Sequence, residues 1–149
     1  MIYYKPFNLK LFQEHDHAAK VIVSNYLNSV CIPTKANPDI YGIDLLSTDN
    51  SIGIEVEHNL FWTRKINNTH VNIFARKSKY FLSTAYSSSM IVFLDKPMTT
   101  LCLLNGSHIR YSIQSTSHTN LNLYNHNSNS NQLDSVYRVP MKYCKYVNL

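Results

Sequence analysis

At 149 residues, 44% hydrophobic and 15% charged, the chain is long enough to bury one core and too apolar to remain disordered. Every apolar run is broken by Asn, Lys or Asp within about ten residues, which argues against a membrane-spanning helix. The formal charge of +5 suits a polyanionic partner without naming one.

Residues 8 to 30, NLKLFQEHDHAAKVIVSNYLNSV, place apolar side chains on three- and four-residue steps. Leu11 or Phe12, Ala18 or Ala19, Ile22 or Val23, Tyr26 or Leu27, and Val30 form the stripe. The spacing predicts an amphipathic helix, with Asn8 as its cap. A turn-rich link containing Pro33 and Pro38 follows, with a short strand around Val30 to Lys35. Ile40 to Ser47 and Ile52 to His58 read as strands joined by Thr48, Asp49, Asn50 and Ser51, a hairpin signal. Asn59 to Asn72 is expected as a loop or irregular helix, and Arg76 to Tyr86 as a second helix packing Phe81, Leu82 and Ala85. Met90 to Leu94 and Thr100 to Leu104 are two further strands. The polar tract over residues 112–132 is expected as a long exposed loop with a short break at Leu121 to Tyr124, and residues 135 to 147 regain strand-like composition. One domain spanning residues 1–149 is expected, of the α/β class with a mixed sheet.

The segment PDIYGIDLLSTDNSIGIEVEH, residues 38 to 58, sets Asp44, Glu55 and Glu57 among apolar neighbours. Strand alternation puts Glu55 and Glu57 on one face and Val56 on the other. If the two strands pair as a hairpin, Asp44 joins the glutamates. Carboxylates so placed repel and raise one another's pKa unless a cation sits among them. Hard oxygen donors suit Mg²⁺ or Mn²⁺. A solvated strand face would carry the same residues without function. The order of parts favours the metal site: a helix, a G-x-D strand, an apolar strand ending E-x-E, then Arg and Lys entering a helix.

On these residues the chain resembles the PD-(D/E)XK nuclease superfamily over roughly residues 8 to 105. The resemblance implies a restriction-endonuclease-like core in the order αβββαβ, a central mixed sheet flanked by helices. The motif's Asp corresponds to Asp44 in YGIDLL and its acidic partner to Glu55 in IGIEVEH. The lysine position holds Glu57, and Lys77 in NIFARKSKYF is the substitute, with Arg76 and Lys79 beside it. The implied activity is Mg²⁺-dependent hydrolysis of DNA phosphodiester bonds. Asp44, Glu55 and the Val56 carbonyl would hold Mg²⁺, with Mn²⁺ able to substitute. Glu57 would serve as a second ligand or orient water, and Lys77 would stabilise charge on the phosphate. Glu14 resembles the helix acid that some members use to bind a metal-linked water. A nuclease-fold module that binds nucleic acid without cutting it, and an RNA-cleaving enzyme, are the alternatives.

Other groups add less. Trp62, Arg64 and Lys65 follow the acidic strand where DNA would lie, and His58 ends that strand within reach of a phosphate or a metal-bound water. His15 and His17 are two apart, on different helical faces, which is wrong for one metal. Arg138, Lys142 and Lys145, interleaved with Tyr137, Tyr143 and Tyr146, suit a backbone-contacting edge or a plain exposed strand. Cys31, Cys102 and Cys144 have no CxxC spacing and are expected reduced. No phosphate-cradling glycine motif occurs. MIYYKPFNLK lacks the apolar core of a signal peptide. The expected location is cytoplasmic, or the host cytoplasm if the Asn- and Tyr-rich composition reflects phage coding. Small nucleases of this kind often act as homodimers, but no interface is legible.

Overall fold

Helix α1 (Leu9–Ser29) buries Ala19, Val23 and Leu27, the stripe that its apolar spacing dictates. It stops in a Schellman arrangement: Cys31 has a φ of 64°, its N–H donates to the Asn28 carbonyl at 3.2 Å, and the Ile32 N–H donates to the Leu27 carbonyl at 2.8 Å. The computed structural model describes residues 9–59, 70–115, 119–125 and 130–149.

After α1 come β1 (Thr34–Ala36), β2 (Leu45–Ser47) and β3 (Ile52–His58), an antiparallel meander. The turn between β2 and β3 is built on Asp49. Its carboxylate accepts from the Ser47 hydroxyl, the Ser51 hydroxyl and the Ser51 N–H, and Asn50 takes a left-handed φ of 62°. The chain then forms β4 (His70–Phe74), a 3₁₀ turn over Ala75–Lys77 and a short α2 (Ser78–Leu82). It returns as β5 (Ser88–Leu94), parallel to β3, and turns back as β6 (Thr100–Asn105). Helix α3 (Gly106–Ser115), β7 (Thr119–Asn125), β8 (Ser130–Pro140) and β9 (Lys145–Asn148) complete the order.

The main sheet has six strands in the order β1-β2-β3-β5-β6-β9, and β4-β8-β7 form a second sheet. This is a mixed α/β fold with helices on both faces of the main sheet. Alternation along β5 sorts its two faces. Val92 and Leu94 join Ile54, Val56 and Leu101 under α1. Ile91 and Phe93 join Phe81 of α2, Ile109 of α3, and Val71, Ile73 and Val139 of the second sheet. Glu55 pairs with Ile91 and Glu57 with Phe93 in the parallel register, so both acids belong to the face away from α1. No helix among the described residues is long and apolar enough to cross a membrane.

Several expectations need correction. The polar tract is not one long loop: residues 112–115 finish α3, and β7 and the start of β8 occupy most of the remainder. Strand pairing is a backbone bond, and a polar composition does not forbid it. Helix α3 gave no signal because its start depends on a contact distant in sequence. A Cβ on Gly106 would meet the Ser89 carbonyl oxygen at 2.7 Å, so glycine is what lets this helix lie against β5. The strand expected from Ile40 shrinks to Leu45–Ser47, since residues 37–43 form a turn-rich loop closed by Asn37 and Asp39. The second helix ends at Leu82, four residues early, with Ser83 already extended. His70 to Asn72 belong to β4.

Cys31 is exposed and occupies a left-handed position that favours glycine. Cys31→Gly is expected to stabilise the fold by about 1 kcal/mol, because it removes the Cβ penalty without emptying any packed volume. Urea denaturation of the two proteins under reducing conditions measures this. A lower midpoint for the glycine variant would contradict the reading of this helix end.

Candidate functional site

Strand β2 begins at Leu45, where it pairs with Ile54, so among the described residues the β3 backbone beyond that point has no strand on its β2 side. The Asp44 carboxylate fills the gap. Its Oδ2 accepts a hydrogen bond from the Val56 N–H at 2.9 Å, doing for β3 what a neighbouring carbonyl would do. A strand residue's N–H and C=O leave the same margin, so the Val56 carbonyl is directed to the edge that Asp44 occupies. Asp44 was expected inside a strand and instead stands one residue ahead of β2, but it reaches the β3 backbone next to Glu55 nonetheless.

The other Asp44 oxygen, Oδ1, lies 3.1 Å from Lys20 Nζ on α1, and the same ammonium is 3.0 Å from Asp16. Sequence reasoning passed over Lys20. Asp16 and Lys20 at i and i+4 signal only a helix-surface pair, and nothing linear points onward to Asp44. Burial works against the charge on Lys20, but its pKa is raised because Asp16 and Asp44 outweigh that effect.

Glu55 is 5% exposed. Its Oε1 receives Lys77 Nζ at 2.6 Å, while Oε2 is buried with no hydrogen-bond partner among the described residues. Desolvation pushes the Glu55 carboxyl up to about 7; Lys77 opposes this, and Asp44 and Glu57 add to it. Burial also raises Glu57, against the charges of Lys77 and Arg76. Lys77 is itself raised, its desolvation outweighed by the two glutamates and Asp44. The 3₁₀ turn after β4 brings Lys77 here, because β4 pairs with β8 and carries the chain back under the sheet.

Asp44, Glu55, Glu57 and Lys77 thus form one electrostatic cluster. Arg76 acts on Glu57 from an exposed position and lies 4.4 Å over the Phe74 ring. Lys79 is exposed, 5.2 Å over the Tyr80 ring. Glu14 is exposed on α1, and the α1 residue that touches Asp44 is Lys20. His58 Nε2 lies 3.0 Å from the Lys96 carbonyl, and its ring lies 5.9 Å from that of His15. Trp62, Arg64 and Lys65 fall outside the described residues. Cys31, Cys102 and Cys144 are free thiols.

Among the described residues, no group of three or more His, Cys, Asp or Glu side chains is gathered closely enough to hold a metal ion. The expected three-carboxylate cage is therefore absent from them, and Asp44 and Glu55 are paired with Lys20 and Lys77 instead. Mg²⁺ is commonly held by one or two carboxylates and completes its shell with water and phosphate. The oxygens of this cluster that would face such an ion are those of Asp44 and the Val56 carbonyl at the strand edge, and Glu55 Oε2, which has no hydrogen-bond partner among the described residues. The sequence matches no protein-family model and no curated protein.

Glu55 binds its proton more tightly when folded than its ordinary value of 4.5 implies. Its contribution to stability is therefore full below about 4.5 and is lost as pH rises through about 7. Carboxyl-carbon NMR should show one glutamate titrating near pH 7, moving higher in Lys77→Met. A Glu55 midpoint unchanged by that substitution would contradict the ion pair.

Proposed function

We propose that the chain is a metal-dependent nuclease with a restriction-endonuclease-like core, hydrolysing phosphodiester bonds of DNA in the cytoplasm. The topology supports this reading: α1, an antiparallel three-strand meander, a helical crossover, and a strand returning parallel to the third. The observation that carries it is Glu55. A buried carboxylate with a lysine on one oxygen and no partner on the other among the described residues, beside a second acid at a strand edge, is costly to build for stability alone.

Asp44, Glu55 and the Val56 carbonyl would hold Mg²⁺ or Mn²⁺. When bound, such an ion polarises the phosphate and lowers the pKa of water. The residues supply the rest. Lys77, tethered to Glu55, keeps a positive charge where phosphate oxygens become more negative in the transition state. Glu57, its pKa held up by burial, is suited to take a proton from the attacking water. Exposed Arg76 and Lys79 extend the positive charge outward for the DNA backbone.

A second reading has its own support. Lys20 and Lys77 already neutralise Asp44 and Glu55, as a nucleic-acid-binding module without catalysis would require. A cleavage assay together with a Mn²⁺-binding isotherm separates the two. The nuclease should cut plasmid DNA with Mg²⁺ or Mn²⁺, stop with EDTA, and lose roughly 100-fold or more in Asp44→Ala and Glu55→Gln. Retained cleavage in either variant would refute the assignment, and DNA binding with neither metal binding nor cleavage would establish the module. Parallel assays on RNA test the ribonuclease alternative.

A further inference from the structure

The loop before Asp44 displays the two most exposed large apolar side chains among the described residues, Ile40 at 83% and Tyr41 at 81%. Isolated apolar residues on a surface are ordinary, but these two are adjacent and rigidly presented. The Asn37 side chain donates to the Ile43 carbonyl at 2.8 Å and accepts from the Asp39 N–H at 3.1 Å. Asp39 accepts from the N–H groups of Tyr41 at 3.0 Å and Gly42 at 3.1 Å. The Tyr80 hydroxyl then ties the Tyr41 carbonyl to α2 at 3.2 Å. On the loop's side these bonds use the Asn37 and Asp39 side chains and the backbone, leaving the Ile40 and Tyr41 side chains exposed.

The tip's position narrows its occupant. The loop leads straight into Asp44, and Tyr80, which holds it, lies three residues beyond Lys77, with Lys79 Nζ 5.2 Å over the Tyr80 ring. An apolar and aromatic pair anchored through Tyr80, whose ring carries the exposed Lys79, and leading into a carboxylate cluster matches a nucleic-acid strand, with phosphate for the cation and a base face for Tyr41. We propose that Ile40 and Tyr41 engage a base next to the phosphodiester in the site and so position the strand. This rests on the nuclease reading for what the site does, but not for whether the tip binds.

The test uses the full chain, with Ca²⁺ replacing Mg²⁺ to suppress turnover, and an oligonucleotide carrying 2-aminopurine and an end fluorophore. Wild type should bind by anisotropy and change the 2-aminopurine emission. Tyr41→Ala and Ile40→Ser should each weaken binding about 10-fold, with Tyr41→Trp restoring it. Thermal melting verifies folding, which truncation of such exposed side chains should spare. In Mg²⁺ the loss should appear in KM more than in kcat. Unchanged affinity in both truncations overturns the proposal and leaves the metal site standing. Tip-dependent binding without cleavage upholds the proposal and sinks the nuclease. Absence of oligonucleotide binding by wild type overturns it, as does a tip that mediates only self-association in sedimentation experiments.

Discussion

Burial of the Glu55 carboxylate is the constraint around which the acid-bearing side of the sheet is arranged. A lone charge there would neutralise itself by taking up a proton, and its raised pKa records that tendency. Lys77 holds the charge in place at 2.6 Å. To deliver Lys77, the chain must leave β3, form β4 against β8, and turn sharply before α2. The second sheet is therefore more than an appendage, since it anchors the strand that positions the lysine. A hydrophobic pair of similar volume would cost less to bury, and that cost is what the proposed metal site would explain.

Asp44 faces a related problem in backbone terms. Strand β2 is short, and β3 outruns it. An unsatisfied N–H at Val56 would cost on the order of 1–3 kcal/mol. The carboxylate satisfies it at 2.9 Å, while Lys20 balances the charge from α1. One acid thereby joins helix, loop and sheet edge, and its orientation is fixed from both sides.

What the sequence made legible follows from the range of the forces involved. Helix α1, the hairpin turn at Asp49, and strands β3, β5 and β6 are written in local periodicity and turn chemistry, and they were read closely. Asp44 and Glu55 were legible together because strand alternation is a short-range rule, and Lys77 because the resembled motif directs attention to a lysine on the helix that follows. Helix α3 and strands β4 and β7 were hidden, since each depends on a partner far along the chain: Ser89 beneath Gly106, and β8 for both strands. Lys20 was hidden for the same reason, as its i,i+4 partner Asp16 explained it without any need for Asp44.

The glutamate at position 57 illustrates how spacing and chemistry separate. The E-x-E triplet puts an acid where the resembled motif has a lysine, and in sequence this reads as a loss. In space the positive charge is present, supplied by Lys77 from the next structural unit and aimed at Glu55. An ammonium carried on β3 itself would point the same way as Glu55, two residues along, and would need no second sheet to hold it. Supplying it from the turn after β4 frees position 57 for a carboxylate, whose charge then acts on Lys77 as well. The result is a lysine shared between two acids.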